Sequence, residues 1–180
     1  MDNHIVPECY IDTMLVQTLV PPKKNSRYNH QHGCFDVSNE MELYGLKDKF
    51  AVGIIDNDKK KAKYLKGFIE IDNIENALKL YKHQSRHQYF IELNPAIEVW
   101  ILKVCEQEAI DIFVEFGLPN NLKALKQITK PQTSSKDKRF IDLFLRFKMS
   151  GNRSVSKLIG WLQKLKEKNY QIDINELKNV

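Results

Sequence analysis

Two carboxylates one residue apart, Asp56 and Asp58, close the apolar run Phe50-Ala51-Val52-Gly53-Ile54-Ile55, and Lys59, Lys60 and Lys61 follow at once. Along an extended strand the side chains at i and i+2 leave the same face, so this pair can share one divalent cation. A short unbroken apolar run reads as a strand buried on both faces, the habit of parallel sheets. Open α/β sheets place their ligands outside the carboxyl ends of such strands. Two further acids stand in comparable settings. Glu8 follows the short extended segment His4-Ile5-Val6-Pro7 and precedes a helix, while Glu98 interrupts the apolar helix start Pro95-Ala96-Ile97-Glu98-Val99-Trp100-Ile101-Leu102.

An isolated carboxylate is costly to bury, and a bound cation is one partner that offsets the cost. Mg²⁺ (or Mn²⁺) takes oxygen ligands and keeps several waters, so one or two carboxylates and a substrate phosphate make a site. The expected roles are then metal ligation by Asp56, Asp58 and Glu98, proton transfer by Glu8, and neutralisation of nucleic-acid phosphates by Lys59, Lys60 and Lys61. Plainer roles compete for the same residues. An Asp-x-Asp at a strand end also makes a turn, a glutamate in a first helical turn suits the helix dipole, and a lysine run suits a solvated face. Asn29-His30-Gln31-His32-Gly33-Cys34 lacks a fourth ligand at recognisable spacing and reads as a polar loop. No nucleophile elbow, phosphate-cradling glycine loop or dinucleotide fingerprint occurs in the chain.

The elements that must position these groups follow from periodicity. Helical spacing runs from Tyr10 to Val20 and stops before Pro21-Pro22, after which a polar loop extends to Gly33. Cys34–Val37 suggests a second strand and Ser38 a cap for a helix reaching Lys49. Beyond the central run at 50–55, Lys59–Lys66 reads as a basic, helical segment and Phe68–Ile71 as a short strand. Asn73–Tyr81 is spaced as a helix, Gln88–Leu93 as a strand, and Asn94-Pro95 opens another helix. Strand and helix thus alternate to about residue 105. Glu106–Phe116, Asn121–Ile128, Asp137–Met149 and Ser154–Asn169 then read as helices, with Lys130–Lys138 as a polar linker. The expected fold is α/β, a mainly parallel sheet flanked by helices over residues 1–105, with a helical C-terminal extension over 106–180 packed on or beside it.

The 180 residues are 42% hydrophobic and 28% charged, with a net charge of +5. This describes a globular chain with an anionic partner favoured. Three widely spaced cysteines, Cys9, Cys34 and Cys105, suggest neither a disulfide framework nor a zinc site and fit a reducing, cytoplasmic setting. Cys105, on an apolar face, reads as a core thiol. The first residues carry no apolar stretch of the signal-peptide kind, and no window reaches the ~18 apolar residues of a membrane span.

Three segments resemble the Toprim domain, the metal-binding α/β module of topoisomerases, primases, OLD-family nucleases and RloB-like proteins of bacterial defence systems. Glu8-Cys9-Tyr10-Ile11-Asp12 is similar to the family's glutamate after the first strand, though Pro7 and Cys9 stand where glycine is usual. Gly53-Ile54-Ile55-Asp56-Asn57-Asp58 is similar to its strand-end Asp-x-Asp, and Leu93-Asn94-Pro95-Ala96-Ile97-Glu98-Val99-Trp100 to the Asn-Pro-x-x-Glu-x-Trp segment of the RloB-like branch. The resemblance covers roughly residues 4–105. It implies a Mg²⁺-dependent, nuclease-like phosphoryl-transfer domain acting on nucleic acid, with Glu8, Asp56, Asp58 and Glu98 gathered at one rim of the sheet. The rival expectation keeps the fold without catalysis: an interaction or regulatory protein that binds a protein partner through its helical part. A solvent-facing stripe of Leu158, Trp161, Leu162 and Leu165 would mark that case. A nucleotide-sugar transferase is disfavoured because no large acceptor domain is present and lysines crowd the Asp-x-Asp, and a haloacid-dehalogenase phosphatase because lysines, not Thr or Val, follow the pair.

Overall fold

In the computed structural model, which describes residues 2–24, 26–57 and 62–180, the central apolar run becomes a strand buried on both faces. The strands are β1 (Ile5–Pro7), β2 (Ala51–Asp56), β3 (Phe68–Ile74), β4 (Leu78–His83) and β5 (Gln88–Leu93). They form one sheet in the order β1-β2-β5-β4-β3. β1 pairs parallel with β2 and β2 parallel with β5, whereas β4 runs antiparallel to both β5 and β3. The sheet is therefore mixed rather than mainly parallel.

The cause of that departure is local. The segment expected as a helix at Asn73–Tyr81 is instead the β3–β4 hairpin. Glu75 and Asn76 both have positive φ, 51° and 55°, and the Ala77 amide donates to the Ile74 carbonyl at 2.9 Å, the signature of a type I′ turn. Asn73 Oδ1 accepts from the Asn76 amide at 2.9 Å and fixes the turn. Beyond it Leu78 and Leu80 are buried, while Lys79 and Tyr81, on the other face, are half-buried.

Two apolar layers cover the sheet because alternate residues of the central strands face opposite ways. Ile5, Val52, Ile54, Tyr89, Ile91 and Leu93 face one layer; Val6, Ala51, Ile55 and Phe90 face the other. The first layer holds α1 (Tyr10–Leu19) and α3 (Ile97–Gln107), the second α2 (Cys34–Glu42). Cys34–Val37, expected as a strand, opens α2. Gly33, at φ 129°, turns the chain, its carbonyl accepts from the Val37 amide at 3.1 Å, and Cys34, Val37, Ser38 and Met41 bury one helical face.

α2 approaches β2 at Gly53, where a Cβ would lie 2.9 Å from Val37 Cγ1 and 3.1 Å from Met41 Sδ. Overpacking of this kind costs about 1–3 kcal/mol. Gly53→Ala should accordingly lower the urea midpoint, and an unchanged midpoint would show that α2 is free to shift.

The helical region contains α4 (Ile112–Phe116), α5 (Leu122–Thr129), α6 (Lys138–Ser150), α7 (Arg153–Lys168) and α8 (Ile174–Lys178). The expected single helix at Glu106–Phe116 is broken: Ala109 has φ 52°, and the Asp111 side chain caps α4 afresh by accepting from the Phe113 and Val114 amides. Asn121, Asp137 and Asn152 cap α5, α6 and α7 in the same way. The polar stretch expected as a linker is a one-turn 3₁₀ helix at Gln132–Lys136, where Ser134 is buried and its hydroxyl donates to the Thr129 carbonyl at 2.9 Å. Phe140, Phe144, Phe147 and Trp161 of α6 and α7 join the same apolar cluster as Ile5, Leu93 and Trp100, so one core runs through sheet and helices. Leu158, Trp161, Leu162 and Leu165, the stripe that would have marked a docking face, lie inside it. Cys9, Cys34 and Cys105 are free thiols, Cys105 buried in the core as expected. Among the described residues no helix is long and apolar enough to cross a membrane.

Candidate acidic cleft

The parallel strands β1 and β2 end side by side, which carries Glu8 over the end of β2. The Glu8 amide donates to the Ile54 carbonyl at 2.9 Å, prolonging the ladder by one residue, and Glu8 Oε2 accepts from the Asp56 amide at 3.0 Å. Asp56 is passed on in turn to the next element. Its Oδ1 accepts from the Ile97 amide at 2.9 Å. Ala96, the residue flanking α3, has no side-chain oxygen, so a strand carboxylate satisfies one of the unpaired amides at the helix start. Glu98, one residue into α3 and buried, accepts at Oε1 from the Thr129 hydroxyl at 2.5 Å. That bond ties the last turn of α5 to the first turn of α3.

The result is a cleft of about 180 Å³ lined by Glu8, Cys9 and Asp56 on the strand side, Glu98 on α3, and Lys126, Thr129 and Lys130 on and just after α5. Of the residues expected at the site, Glu8, Asp56 and Glu98 are brought together. Asp58, Lys59, Lys60 and Lys61 lie outside the described residues. Among the described residues no group of three His, Cys, Asp or Glu side chains is placed to hold an ion by itself.

Asp12 carries no role in the sequence beyond its place in the segment that begins at Glu8. It sits one helical turn beyond Glu8, is fully buried, and neither of its oxygens has a hydrogen-bond partner. Burial pushes its carboxyl up to about 8, and the negative charges of Glu8 and Glu98 push the same way; the Cys9 thiol and amide pull against this without closing a hydrogen bond of ordinary geometry. Burial thus favours the protonated form of Asp12. The signal for it was present: an aspartate four residues after Glu8, flanked by Ile11 and Leu15, falls on the buried face of α1. Cys9 is pushed up by burial and then by Asp12, so its thiol stays protonated and is no nucleophile.

Behind the first turn of α1 the 29–34 segment runs along β1, with the Asn29 amide on the Ile5 carbonyl and the Gln31 amide on that of Pro7. His30 stacks on Tyr10 at 4.2 Å, and its Nδ1 lies 2.9 Å from the Thr13 hydroxyl. That hydroxyl donates its one proton to the Cys9 carbonyl at 2.8 Å, so Nδ1 is the donor to Thr13 and Nε2 keeps its lone pair. Burial, and then His32, lower the pKa of His30 and keep it neutral.

No known protein family, no curated protein and no solved structure matches this chain.

Proposed function

We propose that the cleft is the centre of a Toprim-like, Mg²⁺-dependent phosphoryl-transfer protein of the nuclease kind, acting on nucleic acid. One observation carries this reading. Glu8, Asp56 and Glu98, which the chain keeps far apart, line a single cleft outside the carboxyl ends of parallel strands, the place where open α/β sheets take their ligands. The donor set is all oxygen and acidic, which suits a hard cation. Asp56 and Glu98 would hold Mg²⁺ (or Mn²⁺), with Asp58 as the expected further ligand, and most of the ion's shell would stay water. When bound, such an ion polarises a phosphoryl oxygen and acidifies a water. Glu8 is held at one oxygen by the Asp56 amide, which orients its carboxylate at the cleft to accept or return a proton. The alternative of a partner-binding protein lacks the exposed stripe that would mark it, because Leu158, Trp161, Leu162 and Leu165 lie in the core.

Calorimetric titration of the full chain with Mn²⁺ tests the proposal. Asp56→Asn/Asp58→Asn keeps the carbonyl oxygen that the Ile97 amide needs and should weaken binding at least tenfold, about 1.4 kcal/mol. Cleavage of a labelled oligonucleotide in Mg²⁺ should be lost in Glu8→Gln. Wild-type protein that takes up neither ion, or a double variant that binds as well as wild type, would refute it.

A further inference from the structure

The helical region meets the acidic cleft with two lysines, and we infer that Lys126 and Lys130 hold the phosphodiester backbone of a nucleic-acid strand against the carboxylates. The inference rests on the phosphoryl-transfer reading and adds the residues that bind the substrate.

Their placement is fixed from both sides of Thr129. The Thr129 hydroxyl donates to Glu98 at 2.5 Å, and the Thr129 carbonyl accepts from Ser134 at 2.9 Å. Lys126 and Lys130, three residues before and one after, therefore line the cleft opposite Glu8 and Asp56. Yet neither ammonium forms an ion pair among the described residues. Lysines beside carboxylates would close onto them if neutralising them were their whole task; here the gap between the two sets stays open.

The shape of the surface favours a strand over a free nucleotide. Lys123 and Lys126 of α5 and Lys130, the helical-backbone residue that caps it, recur at i, i+3 and i+7 and so form one stripe beside the face that buries Leu125 and Thr129. Seven residues of helix span about 10 Å at ~1.5 Å per residue. One strand of a duplex carries a phosphate about every 3.4 Å along its axis, so the stripe can follow successive phosphates leading out of the cleft.

The test is fluorescence anisotropy of a fluorescein-labelled twelve-nucleotide single-stranded DNA with the full chain in Ca²⁺, together with Mn²⁺ calorimetry on the same proteins. Lys126→Gln/Lys130→Gln should weaken oligonucleotide binding about tenfold and lower the slope of log K against log salt by about 1.4, two contacts at ~0.7 each. Mn²⁺ affinity should stay within about threefold. Lys47→Gln/Lys49→Gln, the same change of charge at the opposite end of β2, should leave oligonucleotide binding within about twofold of wild type. Absence of oligonucleotide binding by wild type, an unchanged salt slope, or equal losses in the two double variants would overturn the inference. So would a tenfold gain in Mn²⁺ affinity with oligonucleotide binding unchanged, since the lysines would then only offset the acids. The Mn²⁺ arm decides the metal-centred reading separately: wild type that ignores Mn²⁺ but binds oligonucleotide through these lysines would end that reading and leave the phosphate contacts standing.

Discussion

Trp161→Ala is expected to destabilise the whole chain by about 3–5 kcal/mol, the usual range for deleting a large aromatic from a packed core. Trp161 is fully buried, packs on α7 with Leu158, Leu162 and Leu165, and donates from Nε1 to the Leu177 carbonyl at 3.0 Å. Truncation therefore opens a cavity and also strands a buried carbonyl. The loss should be global, because the cluster holding Trp161 also holds Ile5 of β1 and Trp100 of α3. Urea transitions followed by far-UV circular dichroism and by the fluorescence of Trp100 should shift together. Trp161→Phe, which keeps a ring and gives up the hydrogen bond, should lose less than half as much. A change below about 1 kcal/mol, or a helical region that melts before the sheet, would show that the helices are an appendage rather than part of one core. The cleft depends on the outcome, since Lys126, Thr129 and Lys130 belong to that helical region.

The parts of the fold that were legible in the sequence are those where one physical signal stood unopposed. The unbroken run before Asp56 leaves no polar face, so strand β2 follows, and the aromatic and β-branched Tyr89-Phe90-Ile91 give strand β5. Asp137 and Gly151 bound α6, the aspartate by accepting from the Arg139 amide and the glycine by taking a left-handed backbone, φ 76°. The hairpin was not legible because Ile74, Ala77, Leu78 and Tyr81 fit a helical period as well as a strand, and Glu75 gives no hint of its positive φ. Cys34-Phe35-Asp36-Val37 misled in the opposite sense: its residue types suit a strand, but the turn at Gly33 and the hollow at Gly53 demand a helix. At the cleft, Glu8, Asp56 and Glu98 could be read because each breaks an apolar context. Lys126, Thr129 and Lys130 could not. Lysines on an amphipathic helix are the ordinary solvated pattern, and only the docking of α5 on α3 turns them toward the acids.

Asp12 supplies the second large effect, a dependence of stability on pH that Asp12→Asn should abolish. In the unfolded chain Asp12 gives up its proton near 3.8; in the fold it keeps it to about 8. Between these values the native state holds one proton more than the unfolded state, so stability falls as pH rises, by about 1.4 kcal/mol per pH unit. The contribution is complete below pH ~4 and gone above pH ~8. His30 works in the opposite direction, since its lowered pKa costs stability as pH falls, and Glu8, Glu98 and Cys9 remain in both proteins, so the informative quantity is the difference between wild type and variant. Asp12→Asn is nearly isosteric and neutral at every pH. From pH 5 to pH 7 it should gain about 2–3 kcal/mol on wild type in urea titrations, matching it near pH 4 and surpassing it at pH 7. Parallel stability curves would show that Asp12 does not hold the proton whose release destabilises the fold.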